Sequence, residues 1–106
     1  MWIEMAQNEQ ADAIARAWHL HREGRQNDAI KGFEAVLKAV PDHIDANYGL
    51  GLAQRGAGTK ESALETFQRT ARLVSREMEN NPVSRFQMLT RMVQQRINEL
   101  TAQPSK

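Results

Sequence analysis

Two segments of the sequence decide the fold, GRQNDAIKGF at residues 24–33 and GTKESALETF at residues 58–67. Glycine, alanine and phenylalanine occupy the first, sixth and tenth positions of both segments, so each identical pair is 34 positions apart. A fixed period of this length is typical of an array of helical repeats, in which one structural unit recurs along the chain. Such an array presents a surface to a partner, and the sequence does not identify that partner.

The length and composition of the chain favour one small domain. With 106 residues, the chain should form a single domain over 1–106 with a modest core. Its 14 Lys and Arg residues are interspersed with 13 Asp and Glu residues, and this near balance argues against a dedicated nucleic-acid binder. The chain has no cysteine, which excludes a disulfide framework and a thiolate metal site.

The N-terminal segment does not have the pattern of a signal peptide. It carries acidic residues where such a peptide needs basic ones, and no apolar core segment follows them. No run approaches the roughly 18 apolar residues of a membrane span. We therefore expect a cytoplasmic protein with no membrane association.

Apolar residues at helical spacing, interrupted by Gly and Pro, predict an all-α chain of about five helices. The first helix should cover residues 3–23 and end at Gly24. The second should start at an N-cap formed by Asn27 and reach about Val40, where Pro41 forces a turn.

Three more helices should follow. The third should start at an N-cap formed by Asp42 and end in the glycine-rich segment 56–58. The fourth should start after Thr59 and outlast the second helix by about two turns, because no helix breaker occurs before residues 80–82. The fifth should extend over about 82–102 and cover the last unit as a capping helix.

With residues 10–43 as the first unit and 44–77 as the second, the sequence resembles the tetratricopeptide repeat, whose unit follows W-x2-L-G-x2-Y, then A-x3-F, then P. The positions that match this motif are Ala29, Phe33 and Pro41 in the first unit, and Leu50, Gly51, Ala63 and Phe67 in the second. Five positions depart from the motif. Ala13 and Asn47 stand where the motif has Trp, Arg16 where it has Leu, Gln54 where it has Tyr and Ser75 where it has Pro. The matches fall where helices must approach closely or end, which favours this resemblance over a generic helical bundle.

The resemblance implies a right-handed superhelix of antiparallel helix pairs that serves as a non-enzymatic adaptor or scaffold. In this family the first helix of each unit lines a groove that binds a peptide or protein segment. The groove positions, carried over residue by residue, are Ile14, Trp18, His21, Arg22, Asp45, Tyr48, Leu52 and Arg55. Such a surface suits a partner with apolar anchors and an acidic flank. The alternative is that Trp18 and Tyr48 only pack against neighbouring helices.

Two other modes of association are weighed against groove binding. Trp2, Ile3 and Met5 precede the first unit, so they either fold back over the second helix or form an apolar patch. Such a patch, with the fifth helix, would support self-association as a homodimer or a chaperone-like assembly. Nucleic-acid binding through the fourth and fifth helices is disfavoured, because glutamates interleave with the arginines there, which are Arg69, Arg72, Arg76, Arg85, Arg91 and Arg96.

No residues are arranged for catalysis, metal binding or cofactor binding. His19 and His21 are two positions apart on a helix and therefore point to different sides, and His43 belongs to a turn. The glycines of segment 56–58 lack the strand context and the lysine of a phosphate loop. Ser and Thr residues are scattered without a neighbouring His and acid that would activate one. We therefore expect no enzyme activity, no metal and no cofactor.

Overall fold

A computed structural model of the chain describes residues 2–80 and 86–102, and for residues 2–9 and 86 it describes the backbone alone. Within these ranges the chain is all-α, as predicted. Its five helices are α1 (Trp2–Arg22), α2 (Gln26–Ala39), α3 (Ile44–Gly56), α4 (Lys60–Asn80) and α5 (Phe86–Thr101).

The helices pack mainly in the order in which they occur along the chain. Helix α1 packs on α2, α2 on α3, α3 on α4 and α4 on α5, and α1 also touches α3. Packing of each element on its sequence neighbours is the arrangement that a linear array of helical units requires. Helix α3 lies in the middle of the array, and its residues 46–51 are all buried.

The two repeated glycines end α1 and α3 in the same way. Gly24 and Gly58 have positive φ angles of 83° and 88°, a conformation that other residues rarely adopt. The Gly24 N–H donates to the His21 carbonyl at 3.0 Å, and the Gly58 N–H donates to the Arg55 carbonyl at 3.0 Å. In both units the next N–H bonds back across the last helical turn, which completes a Schellman motif. The 34-residue period therefore corresponds to one recurring helix end.

The two repeated phenylalanines pack against glycines on α3. Phe33 of α2 and Phe67 of α4 have no exposed surface. A Cβ atom at Gly49 would lie 2.4 Å from the Phe33 ring, and one at Gly51 would lie 2.5 Å from the Phe67 ring. Helix α3 thus receives a phenyl ring on two of its faces, and burial of each ring contributes about 1.5–3 kcal/mol relative to exposure.

Two residues that depart from the repeat motif make hydrogen bonds to α4. The buried side chain of Asn47 accepts from Arg69 Nε at 2.9 Å, and its amide donates to the Pro41 and His43 carbonyls at 3.1 and 2.9 Å. Gln54 accepts from the Thr66 hydroxyl at 2.7 Å. Polar residues stand at these motif positions because α4 supplies polar partners, so a buried amide does not remain unsatisfied.

The predicted starts of the second and third helices are wrong by one or two residues. Asn27 lies inside the first turn of α2, because the Ala29 N–H already bonds to the Arg25 carbonyl at 3.0 Å. The N-cap of α3 is His43 and not Asp42, since His43 Nδ1 accepts from the Ala46 N–H at 3.2 Å. The His43 N–H closes a turn onto the Val40 carbonyl, which leaves Asp42 outside the helix.

The difference in length between α4 and α2 is as predicted. Helix α4 has 21 residues and α2 has 14, which is a difference of about two turns. The segment 81–85, which includes the predicted start of the fifth helix, lies outside the described residues. In the described part of α5, Leu89, Val93, Ile97 and Leu100 belong to the same apolar cluster as Phe67, so α5 covers the second unit.

Candidate functional site

Trp18 lies half-buried where α1 meets α2 and α3. Its ring meets the Phe33 ring edge-on at a centroid distance of 5.3 Å and the His21 ring at 6.0 Å. Its Nε1–H donates to Asp45 Oδ2 of α3 at 3.1 Å. Side chains from three helices therefore fix the orientation of an indole ring that still has exposed surface. Ile14, one helical turn earlier, packs partly buried against the first core cluster.

In the second unit, the structure places Tyr48 in the core rather than on an open groove surface. Tyr48 is 6 % exposed, and its ring lies 5.9 Å from that of Phe67. Hydrogen bonding to the Tyr48 side chain, opposed by partial burial, raises the pKa of Arg96 on α5 above its ordinary value. Leu52 packs partly buried against the same cluster, which also includes the apolar face of α5. The surroundings of Tyr48 therefore agree with the alternative that it packs against neighbouring helices, rather than with a place on an open groove.

The two arginines predicted to attract an acidic flank have different surroundings. Arg55 Nη1 lies 2.8 Å from Glu99 Oε1, and the same carboxylate accepts from Arg96 Nη1 at 3.0 Å. Glu99 thus bridges Arg55 of α3 and Arg96 of α5, and this group of three side chains keeps one positive charge. Arg22, at the end of α1, is exposed and forms no ion pair within the described part of the chain. Its guanidinium is therefore available to a partner.

His21 and Asp45 complete the predicted set. His21 Nδ1 lies 2.8 Å from Gln26 Oε1, so the ring is tied to the start of α2. Asp45 is exposed and accepts the indole N–H of Trp18. The structure thus brings Trp18 and Asp45 together and joins Arg55 to α5, while Arg22 has no ion-pair partner among the described side chains. The residues predicted to support self-association are Trp2, Ile3 and Met5. The structure describes only their backbone, so this prediction lies outside the described side chains.

Two methionines of α5 were not among the predicted site residues. Met88 and Met92 are 71 % and 37 % exposed, whereas other large apolar side chains of the described residues are more covered. They are one helical turn apart and lie beside the core-facing line of the partly buried Leu89 and the buried Val93. The sequence signal that could have found them is an apolar pair displaced by one position from the core-facing stripe.

The basic flank of α4 forms a shallow depression of about 350 Å³, lined by Ala71, Arg72, Ser75, Arg76 and Glu79. Arg69 lies outside it because its guanidinium is bonded to the buried Asn47. Among the described residues its lining combines two guanidinium groups with a carboxylate and includes no aromatic side chain. Charges of both signs on one helix are typical of a solvated helix face.

The three histidines have structural partners. His19 Nε2 lies 3.0 Å from Glu23 Oε2, an acid four residues further along α1, and His43 caps α3. Among the described residues no group of three His, Cys, Asp or Glu side chains is placed to hold a metal ion. No helix in the described ranges is both long enough and apolar enough to span a membrane.

Comparisons of the chain with protein-family models, with curated proteins and with solved structures give no significant match.

Proposed function

We propose that the chain is a non-enzymatic protein-interaction module of the tetratricopeptide type, with two repeats and a capping helix in a right-handed superhelix. It binds a peptide or protein segment of a cytoplasmic partner on the face formed by α1 and α3. Three features support this assignment: the repeated Schellman turns, the repeated Phe–Gly contacts, and helices that pack on their neighbours along the chain.

The observation that carries the proposed function is the orientation of Trp18. Its indole ring is partly exposed and is already held by Phe33, His21 and Asp45. A fixed aromatic side chain loses little conformational entropy when a partner packs on it, and Trp is over-represented among residues that dominate binding energy. The charge nearby is favourable to an acidic partner, because Arg22 lies one helical turn after Trp18 and forms no ion pair with the carboxylates that the structure describes.

The test is selection of binders from a random-peptide library on the wild-type chain, followed by affinity measurements on variants. Trp18→Ala should lower the affinity for the selected peptides tenfold or more, which corresponds to a loss of about 1.4 kcal/mol in binding free energy. Arg22→Glu should lower the affinity for peptides that carry acidic residues. The matched controls are Leu37→Ala, a comparable loss of packing on α2, and Lys31→Glu, a charge reversal on the exposed face of α2.

The control variants should bind as the wild type does. If the library gives no binder, or if Trp18→Ala and Leu37→Ala bind equally well, the face formed by α1 and α3 is not the binding site and the proposal fails. Circular dichroism of each variant separates a loss of binding from a loss of folding.

Self-association is the second candidate, and the exposure of Met88 and Met92 on α5 favours it. Exposed apolar side chains that lie side by side are a common feature of protein interfaces. Sedimentation equilibrium over a wide concentration range tests this candidate. A mass that stays that of a single chain at every concentration would exclude it.

A further inference from the structure

Met88 and Met92 share one line on α5 with Arg96 and Glu99. The four residues follow at intervals of four, four and three positions, which places them on one face of the helix. Arg96 interacts with Tyr48, and Glu99 pairs with Arg55, so this line faces the side on which α3 lies. The opposite, outward line of α5 carries polar residues such as Gln94 and Asn98.

The register between α3 and α5 explains why the two methionines are uncovered. Both helices run in the same direction, because the start of α4 bonds back to the end of α3 through Thr66 and Gln54, and the start of α5 bonds back to the end of α4 through Thr90 and Met78. Helix α3 begins at Ile44, four residues before Tyr48, which corresponds to about 6 Å along the axis. Met92 therefore lies level with the first turn of α3, and Met88 lies about 6 Å beyond it. This agrees with the greater exposure of Met88.

The first turn of α3 lies between the partly buried Trp18 and the exposed Met92. On the α1 side, Trp18 reaches it through its hydrogen bond to Asp45. On the α5 side, Met92 lies at the same level. Trp18 also packs against the apolar cluster that contains the buried side chains of α5, so the two sides are connected below the surface by one core.

We infer that Met88 and Met92 extend the Trp18 surface into one docking site, and that its occupant is a partner segment with apolar side chains at one end and carboxylates at the other. This inference rests on the proposed function. The apolar end covers the methionines and Trp18. The acidic end meets Arg22, Arg55 and Arg96, whose three positive charges exceed the two carboxylates of this face, Glu99 and Asp45, by one.

The distance between the methionines and the arginine along α5 sets the distance between the apolar residues and the carboxylates of the partner. Met88 and Arg96 are eight residues apart, which is about 12 Å along the axis of α5. The apolar residues of the partner should therefore lie about that far from its carboxylates. Flexible methionine side chains adapt to apolar groups of different shape, which suits this end of the site.

A second copy of the chain fits this site less well than such a segment. Packing the methionines of two copies together would bring the exposed Arg91 and the Arg96 of each copy close to those of the other. Repulsion between like charges opposes that arrangement. An acidic partner segment meets the same arginines with attraction.

The test uses peptides selected from a random-peptide library on the wild-type chain. The variant is Met88→Gln with Met92→Gln, and the control is Gln94→Ala with Asn98→Ala on the outward line of α5. We expect selected peptides to carry apolar residues at one end and Asp or Glu at the other, and to lose about tenfold or more in affinity for the methionine variant. In spectra of methyl-labelled methionine, the signals of Met88 and Met92 should shift with peptide, whereas that of Met78 should not.

Three other results would overturn the inference. Peptides that bind the methionine variant as tightly as the wild type, yet lose affinity for Trp18→Ala, would overturn the role of α5 and leave the proposed function intact. Absence of any selected peptide would overturn both. Concentration-dependent association that the methionine substitutions abolish, without peptide binding, would show that a second copy occupies the site.

Discussion

Replacement of Gly51 by alanine tests the packing that positions α3 between its neighbours. The added Cβ would lie 2.5, 2.7 and 2.9 Å from three atoms of the Phe67 ring. Because Phe67 has no exposed surface, its ring cannot move into solvent to relieve this overlap. Overpacking costs about 1–3 kcal/mol, and an overlap with three atoms of a buried ring belongs in the upper part of that range, about 2–3 kcal/mol; the higher helix propensity of alanine returns about 1 kcal/mol. The net expectation is a loss of stability of about 1–2 kcal/mol.

The assay is urea denaturation followed by far-ultraviolet circular dichroism. Gly51→Ala should lower the midpoint without changing the slope, because the surface exposed on unfolding stays the same. In thermal unfolding the melting temperature should fall by about 4–8 °C for each kcal/mol lost.

The matched control is Gly56→Ala at the end of the same helix. There the added Cβ would lie 2.7 Å from Gln26 Cδ, which belongs to a flexible side chain that can turn away. This variant should therefore lose less stability than Gly51→Ala, because it costs only the part-buried hydrogen bonds between Gln26 and His21. The double variant Gly51→Ala with Phe67→Leu should recover part of the loss, since the smaller side chain vacates the overlapping space. Equal stability of Gly51→Ala and the wild type would refute the close Phe67–Gly51 contact on which the description of α3 depends.

Three further predictions follow from the turns, the buried amide and the ion pairs. Gly24→Ala and Gly58→Ala should each cost about 1–2 kcal/mol through backbone strain, and similar losses in urea denaturation would show that the two turns are equivalent. Asn47→Leu should cost about 1–3 kcal/mol, because it leaves Arg69 Nε and the Pro41 carbonyl without their partner, and full stability would contradict that network. Glu99→Gln should change stability by less than about 1 kcal/mol, since its ion pairs are partly exposed. The same variant should bind acidic peptides more tightly than the wild type because it frees two arginines, and unchanged affinity would place the acidic end of the partner elsewhere.

The ends of the helices could be read from the sequence better than their starts. Gly24, Gly58 and Pro41 each impose a backbone restriction that the rest of the chain cannot override, so the turns after α1, α2 and α3 were predicted correctly. An N-cap depends on which of several neighbouring polar residues reaches the free N–H groups. At α3 the ring of His43 does so, one residue after the predicted Asp42.

The site could be predicted only in part. The repeat register gave Trp18 and Asp45 as residues of one face, and the structure joins them by a hydrogen bond. The register does not extend to α5, because the two extra turns of α4 displace that helix from the 34-residue period. For this reason the contacts of α5 with Tyr48 and Arg55, and the exposure of Met88, could not be derived from the repeat.

The central claim is that Trp18 anchors a partner segment, and the indole N–H signals in a nitrogen-15 correlation spectrum test it most directly. The chain has two tryptophans, so a Trp2→Phe variant assigns the remaining indole signal to Trp18. A peptide selected on the wild-type chain should shift this signal progressively during titration, because binding changes the surroundings of the Trp18–Asp45 hydrogen bond. A peptide that binds and shifts other signals while that of Trp18 stays unchanged would contradict the account.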